Sequence, residues 1–273
     1  SILQSIIIEY IENYRPVALL SIFAKLLERL MYNRLYEFLT KKNILIPEQF
    51  GFRKNHSTSL SVICFSDYIL QEIDKGNFCC GVFMDLSKAF DTIDHHILLK
   101  KLYLYGLRGL PLQWFHSYLS CRKQYVVIDG IESSHLDVNI GVPQGSVLGP
   151  LLFLIYVNDI INCSNILKFS LFADDTGVLY SHKDVTTLIS TVNKELQLLN
   201  DWFKCNKLFL NYKKTKYILF SSKRKRIPSN VNSIQIENTT IERTESINFL
   251  GILIHKSIDW KYHIANIHSK ISR

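Results

Sequence analysis

Lys168-Phe169-Ser170-Leu171-Phe172-Ala173-Asp174-Asp175-Thr176-Gly177-Val178-Leu179-Tyr180 is the stretch on which the fold turns. Each apolar flank reads as a strand, and the short centre between them reads as the turn of a buried hairpin. Adjacent carboxylates repel each other, so folding alone gives little reason to place Asp174 beside Asp175. Taken singly, such a pair is an ordinary solvated turn. A third acid changes the balance. Asp85 ends another apolar run, Cys79-Cys80-Gly81-Val82-Phe83-Met84, and three oxygen donors at strand ends are the ligand set that Mg2+ uses in phosphoryl chemistry.

Around this hairpin the chain is globular in composition. Its 273 residues, 47% of them hydrophobic, suffice for a substantial core. A formal net charge of +8 suits a polyanionic partner without requiring one. Pro150 and Asp159 bracket the strongest apolar run, Leu151 to Val157, so no membrane span is expected. The six cysteines show neither a CxxC pair nor regular spacing, which predicts reduced, mostly buried thiols rather than zinc ligands or disulfides. No leader is visible at Ser1, and the chain reads as part of something longer.

The sequence predicts three helices, two of them from periodicity. Phe23, Leu26, Leu27, Leu30, Met31, Leu35 and Phe38 mark an amphipathic helix starting near Ser21. Val185, Leu188, Ile189, Val192, Leu196, Leu199 and Phe203 mark a second, with Asp184 as N-cap. Ser146 to Ile160 is apolar all round and predicts a buried helix with Pro150 near its start. Strand-like runs are Gly81–Asp85, Gln124–Asp129, Leu167–Ala173, Gly177–Ser181, Lys216–Ser221 and Ile247–Ile254. Without βαβ alternation, the expected class is α+β, an antiparallel sheet with helices on one face.

Several motifs surround the acids. Phe83 to Asp94 reads FMDLSKAFDTID, and further on come Gly141-Val142-Pro143-Gln144-Gly145-Ser146 and Phe172-Ala173-Asp174-Asp175. In this order they resemble a reverse transcriptase, more narrowly the polymerase domain of a non-LTR, LINE-type, jockey-like retrotransposon. The resemblance runs from Tyr14 to about His263. It implies a right-hand polymerase with palm and fingers and a thumb mostly missing. Residues 1–80 would be the N-terminal, truncated part of the fingers, 81–92 the palm around the first Asp motif, and 93–143 a fingers/palm insertion. Residues 144–245 would complete the palm, and 246–273 would form the primer-grip hairpin and the start of the thumb.

The family's chemistry is RNA-directed DNA synthesis, adding dNTPs to a primer 3′-hydroxyl along an RNA template. The resemblance implies two Mg2+ ions, with Mn2+ as a substitute, held by Asp85, Asp174 and Asp175, of which Asp85 and Asp174 match the bridging pair. Phe90 matches the aromatic gate that excludes a 2′-hydroxyl; as bare sequence it is one more core aromatic. Gln144 and Gly145 match the nucleotide-binding PQG, which by itself is a common turn. Arg15, in Asn13-Tyr14-Arg15-Pro16, matches an arginine that binds the triphosphate, but Ser1 to Tyr14 has no lysine or arginine where the family carries a basic hairpin.

Lys214, in Leu210-Asn211-Tyr212-Lys213-Lys214-Thr215, matches the region serving the leaving pyrophosphate, with Lys213 and Lys216 as alternatives. Arg53, in Gln49-Phe50-Gly51-Phe52-Arg53, matches a template contact, and Phe249-Leu250-Gly251 matches the primer grip. His95 and His96 read as the start of a structural helix. An endonuclease and a nucleic-acid-binding segment are expected in the parent polyprotein, and the family implies a life in nucleus and cytoplasm. The alternative function is a catalytically silent remnant or a domesticated nucleic-acid-binding module.

Overall fold

A computed structural model describes residues 17–228 and 232–272. Helices α1 (Ile22–Lys41) and α2 (Thr58–Asp74) precede strand β1 (Phe78–Met84), and α3 (His95–Leu104) and α4 (Gly109–Leu119) follow it. Two small ribbons come next, built from β2 (Arg122–Gln124), β3 (Val127–Ile128), β4 (Ile131–Glu132) and β5 (Leu136–Val138). Beyond α5 (Gly149–Val157) lie β6 (Lys168–Phe172), β7 (Asp175–His182), α6 (Val185–Cys205) and β8 (Lys216–Phe220). The chain closes with β9 (Gln235–Ile236), β10 (Thr239–Thr240), β11 (Glu242–Arg243), the hairpin β12 (Ser246–Phe249) and β13 (Ile252–His255), and α7 (Lys261–Ile271).

The central sheet has the order β11-β8-β1-β7-β6. Every neighbouring pair is antiparallel except β11 with β8. Strand β1 sits in the middle and is buried along its whole length, so both of its faces are apolar. Alternation sends Cys80, Val82 and Met84 toward the large core that also holds residues of α3, α5 and α6. Cys79 and Phe83 point the other way, to Val62, Phe65 and Ile69 of α2 and to Phe249 and Ile254 of the β12–β13 hairpin. The expected layer of helices is therefore present on one face, but the second face is covered as well.

Local chemistry explains the helix boundaries. Ser21 Oγ accepts the Ala24 N–H at 3.2 Å, Ser57 Oγ the Leu60 N–H at 3.1 Å, and Asp184 Oδ2 the Thr187 N–H at 2.7 Å. All seven predicted apolar positions of α6 are buried. Helix α1 departs from expectation. Leu35 and Leu39 reach the core, whereas Phe23 is 81% exposed and Leu30 is 53% exposed, so the apolar stripe is only partly covered.

The run predicted as one strand over Gln124–Asp129 is broken into β2 and β3, and Ile247–Ile254 folds back as β12 and β13 around Leu250-Gly251. The predicted helix over Ser146–Ile160 is shorter, Gly149–Val157, with a 3-10 turn at Ile160–Cys163. The cysteines are not mostly buried as expected: Cys79 and Cys80 are buried in β1, Cys163 is half-buried, and Cys64, Cys121 and Cys205 are exposed, all as free thiols.

Candidate active site

The acids come together through strand register. In the β6–β7 hairpin Phe172 pairs with Asp175, which leaves Ala173 and Asp174 as a two-residue turn. Ala173 takes a φ of 56°, a left-handed conformation that glycine adopts more easily. Strand β1 pairs with β7 so that Met84 lies opposite Thr176. Asp85 follows Met84 and Asp175 precedes Thr176, so both leave the paired strands at the same end. All three acids thus stand at one end of the sheet. Their side chains are not gathered into a three-ligand cluster among the described residues.

A lysine contacts the first of them. The segment after α6 runs beside Asp85: Ser87 N–H donates to Phe209 O at 2.8 Å and Asn211 N–H to Asp85 O at 2.9 Å. Asn211 then closes a tight turn, its carbonyl accepting the N–H groups of Lys214 and Thr215 at 3.1 and 2.9 Å. That turn brings Lys214 Nζ to 3.3 Å from Asp85 Oδ2. Lys216 is instead engaged by Glu242 on β11 at 3.1 Å, so geometry separates two lysines that the sequence left equivalent.

The segment Gln49–Phe52 braces the acidic turn, a role its sequence did not suggest. Phe50 N–H donates to Leu171 O at 2.7 Å and Leu171 N–H to Glu48 O at 2.9 Å, extending the edge of β6. Gln49 Oε1 accepts from Gly51 N–H at 2.8 Å and from Ala173 N–H at 3.2 Å. A Cβ on Gly51 would lie 2.4 Å from Ala173 N, so only glycine permits this approach. Phe52 meets Phe90 edge-on with ring centres 6.3 Å apart, and Phe90 stacks on Phe153 of α5 at 4.8 Å.

The loop carrying Gln144 is fastened to the stretch just after Phe90. Val142 N–H donates to Phe90 O at 2.9 Å and Gly141 N–H to Ile93 O at 2.7 Å. Gln144 Nε2 donates to both oxygens of Asp91, at 2.9 and 3.1 Å. Gly145 has a φ of 95°, which supplies the permissive turn expected of PQG.

The remaining candidates behave differently. Arg15 lies outside the described residues. Arg53 is half-buried, its Nη1 donating to the carbonyls of Ile46 and Gln49 at 2.5 and 3.2 Å, which orders the brace. Phe249 is buried among Phe65 and Phe83, at ring distances of 5.5 and 5.1 Å, and so anchors its hairpin instead of forming a surface contact. Leu250 and Gly251 form the hairpin tip with φ of 53° and 82°. His95 begins α3, as expected, and Asp94 caps that helix at Ile97 N–H. Burial pushes the Asp94 carboxyl up, but Lys207 at 2.5 Å and the Ile97 N–H outweigh it and hold its pKa below the ordinary value.

With this geometry established, comparison with known proteins is direct. The family model for reverse transcriptase (RNA-dependent DNA polymerase) matches residues 9–254. This chain belongs to the reverse transcriptase family. Among curated relatives, the probable RNA-directed DNA polymerase from transposon BS of Drosophila melanogaster is 33% identical over 264 residues, covering 93% of this chain and 28% of the relative. The RNA-directed DNA polymerase from mobile element jockey of the same organism is 30% identical over 270 residues, covering 94% and 28%. The chain therefore spans under a third of the length of these relatives. Among solved structures, telomerase from Candida tropicalis with a TWJ fragment of telomeric RNA aligns with a TM-score of 0.52 at 12% identity, covering 86% of this chain and 39% of that one. That likeness supports the right-hand polymerase fold and nothing finer.

Reverse transcriptases generally use divalent metal ions. The donors here fit such ions. Three carboxylates at one sheet end are hard oxygen ligands, and the lysine ammonium against Asp85 shows that this corner of the reverse transcriptase already accommodates a cation. Among the described residues, no helix is long and apolar enough to cross a membrane.

Proposed function

We propose that this chain is the polymerase core of a non-LTR retrotransposon and adds deoxynucleotides to a primer 3′-hydroxyl along an RNA template. The observation that carries the reading is the β1–β7 register, which brings Asp85 to Asp174 and Asp175 from separate parts of the chain. In this proposal Asp85, Asp174 and Asp175 hold two Mg2+, with Mn2+ as a substitute. Metal held by these carboxylates would supply activation of the primer hydroxyl and neutralisation of charge on the triphosphate.

The chain's own residues orient the reactants. Phe90, packed between Phe153 and Phe52, would form an apolar floor under the nucleotide sugar that offers no partner to a 2′-hydroxyl, which favours a DNA product. Gln144, aimed by Asp91, and the open turn at Gly145 would receive the incoming nucleotide, with Arg15 on its phosphates. Lys214, next to Asp85, would meet charge developing on the leaving pyrophosphate. The Leu250-Gly251 tip would steer the primer. The RNA template, the DNA primer at a nicked chromosomal end, and the endonuclease and nucleic-acid-binding segments of a parent polyprotein belong to the same proposal, as does its setting in nucleus and cytoplasm.

Primer extension on poly(rA)/oligo(dT) with dTTP and Mg2+ tests the reading. Extension that is lost in Asp174→Asn and on chelation supports it, and extension that survives the substitution refutes it.

A further inference from the structure

Glu28 is a carboxylate buried to 3% exposure within α1, more than fifty residues before Asp85 and the motifs around the acids. A buried carboxylate is costly unless its oxygens are bonded. Both are. Oε1 accepts the Tyr118 O–H of α4 at 2.7 Å, and Oε2 accepts the Val147 N–H at 2.6 Å. Val147 lies two residues beyond Gly145, at the entrance to α5.

Two further contacts make this the outer half of a clamp. Ala18 N–H, just ahead of α1, donates to Gln144 O at 2.8 Å, so one segment grips the loop on both sides of Gly145. Within the loop, Ser146 Oγ donates to Pro143 O at 2.8 Å and accepts Gly149 N–H at 2.9 Å, which makes residues 143–149 a rigid unit. Asp91 holds the inner side through Gln144. Movement at Val147 would therefore be passed to Gln144 and Gly145.

We propose that Glu28 is a positioning residue for nucleotide binding: it fixes the Gln144-Gly145 loop to α1 through the Val147 N–H. The inference rests on the polymerase reading for its kinetic consequence, but the clamp itself can be measured without catalysis.

The test uses the 273-residue chain and its Glu28→Ala, Glu28→Asp and Glu28→Gln variants, with Glu37→Ala on the exposed side of the same helix as control. Glu28→Asp keeps the charge but withdraws it by one methylene. It should speed hydrogen exchange at the Val147 amide about tenfold and raise the dTTP KM about tenfold, with primer-template Kd within about twofold. Glu28→Gln keeps an acceptor and should restore both values to within about threefold, while Glu37→Ala changes neither. Glu28→Ala should match or exceed Glu28→Asp; should it not fold, the aspartate and glutamine variants decide.

Unchanged Val147 exchange in Glu28→Asp overturns the clamp. Faster exchange with an unchanged dTTP KM overturns its role in nucleotide binding. A wild-type chain that extends no primer overturns the polymerase reading, while the exchange result still judges the clamp.

Discussion

Replacing Gly51 by alanine tests whether the brace sets the position of the acids. The new Cβ would lie 2.4 Å from Ala173 N and 3.0 Å from Phe172 C, where ordinary contact starts at 3.4 Å. Both obstacles are backbone atoms of the turn that carries Asp174, so no side chain can rotate out of the way. The turn or the Gln49–Phe52 segment must retreat by about 1 Å, and overpacking of this kind costs about 1–3 kcal/mol. Melting should fall by roughly 5 °C for a domain of this size. Because reacting groups tolerate little displacement, a shift of about 1 Å at Asp174 should slow nucleotide addition by about 10²-fold. The assay is the single-turnover rate of dTTP addition at saturating nucleotide, with primer-template affinity measured alongside. A folded Gly51→Ala protein whose rate stays within about threefold of wild type would refute the argument, since the brace would then not govern the acids.

Other perturbations separate the roles of the surrounding groups. Asp91→Ala removes both acceptors of the Gln144 amide and should raise the dTTP KM about tenfold with little change in primer-template binding; an unchanged KM would detach Gln144 from the nucleotide. Lys214→Ala should lower the rate of nucleotide addition about 10²-fold while reducing the Mg2+ concentration needed for half-maximal activity, because Asp85 loses its resident cation. If Lys216→Ala had the larger effect, the assignment would be wrong. Glu72 is held by Lys75 and Ser181, and by Asn77, which bring its pKa from 4.5 down to about 2. A depressed folded pKa means that this contribution is complete above about pH 4.5 and is lost as pH falls toward 2. With the Lys75 side chain 63% exposed, screening leaves about 1 kcal/mol, and melting of Glu72→Gln should vary less between pH 5 and 3 than that of wild type, as a thermal series would show.

What could be read from the sequence was local. The hairpin at Asp174-Asp175 was legible because two strand-like runs stood on either side of a short polar centre, and Asp184 was legible as a cap because it stands immediately before a 3.6-residue pattern. Helix α1 shows where such patterns stop. Its stripe is continuous, yet Phe23 and Leu26 remain exposed, since periodicity defines a face without saying what meets it. The brace at Gly51 and the tie from Glu28 to Val147 join segments more than a hundred residues apart. Nothing in Gln49-Phe50-Gly51 marks the glycine as a point of backbone contact, and Glu28 sits in a helix whose other charges face solvent. Phe249 was legible as apolar, but its burial between Phe65 and Phe83 depends on a second packed face of the sheet that strand alternation alone does not reveal.

The placement of the acids follows from the burial of β1. All seven of its residues are buried, with one face against α6 and the other against α2, so a carboxylate inside the strand would have neither water nor a cation on either side. The first position at which charge becomes tolerable is the residue after Met84, and that residue is Asp85. The same holds on β7, where Thr176 onward enters the core, Asp175 is the exposed first residue of the strand and Asp174 lies in the turn just before it. Antiparallel pairing then brings those two strand ends together, and the Asn211 turn, hydrogen-bonded to Asp85, sets Lys214 at the same corner. A sheet covered on both faces can expose chemistry only at its ends, and here the acids and Lys214 stand at one such end, drawn from segments that are distant in sequence.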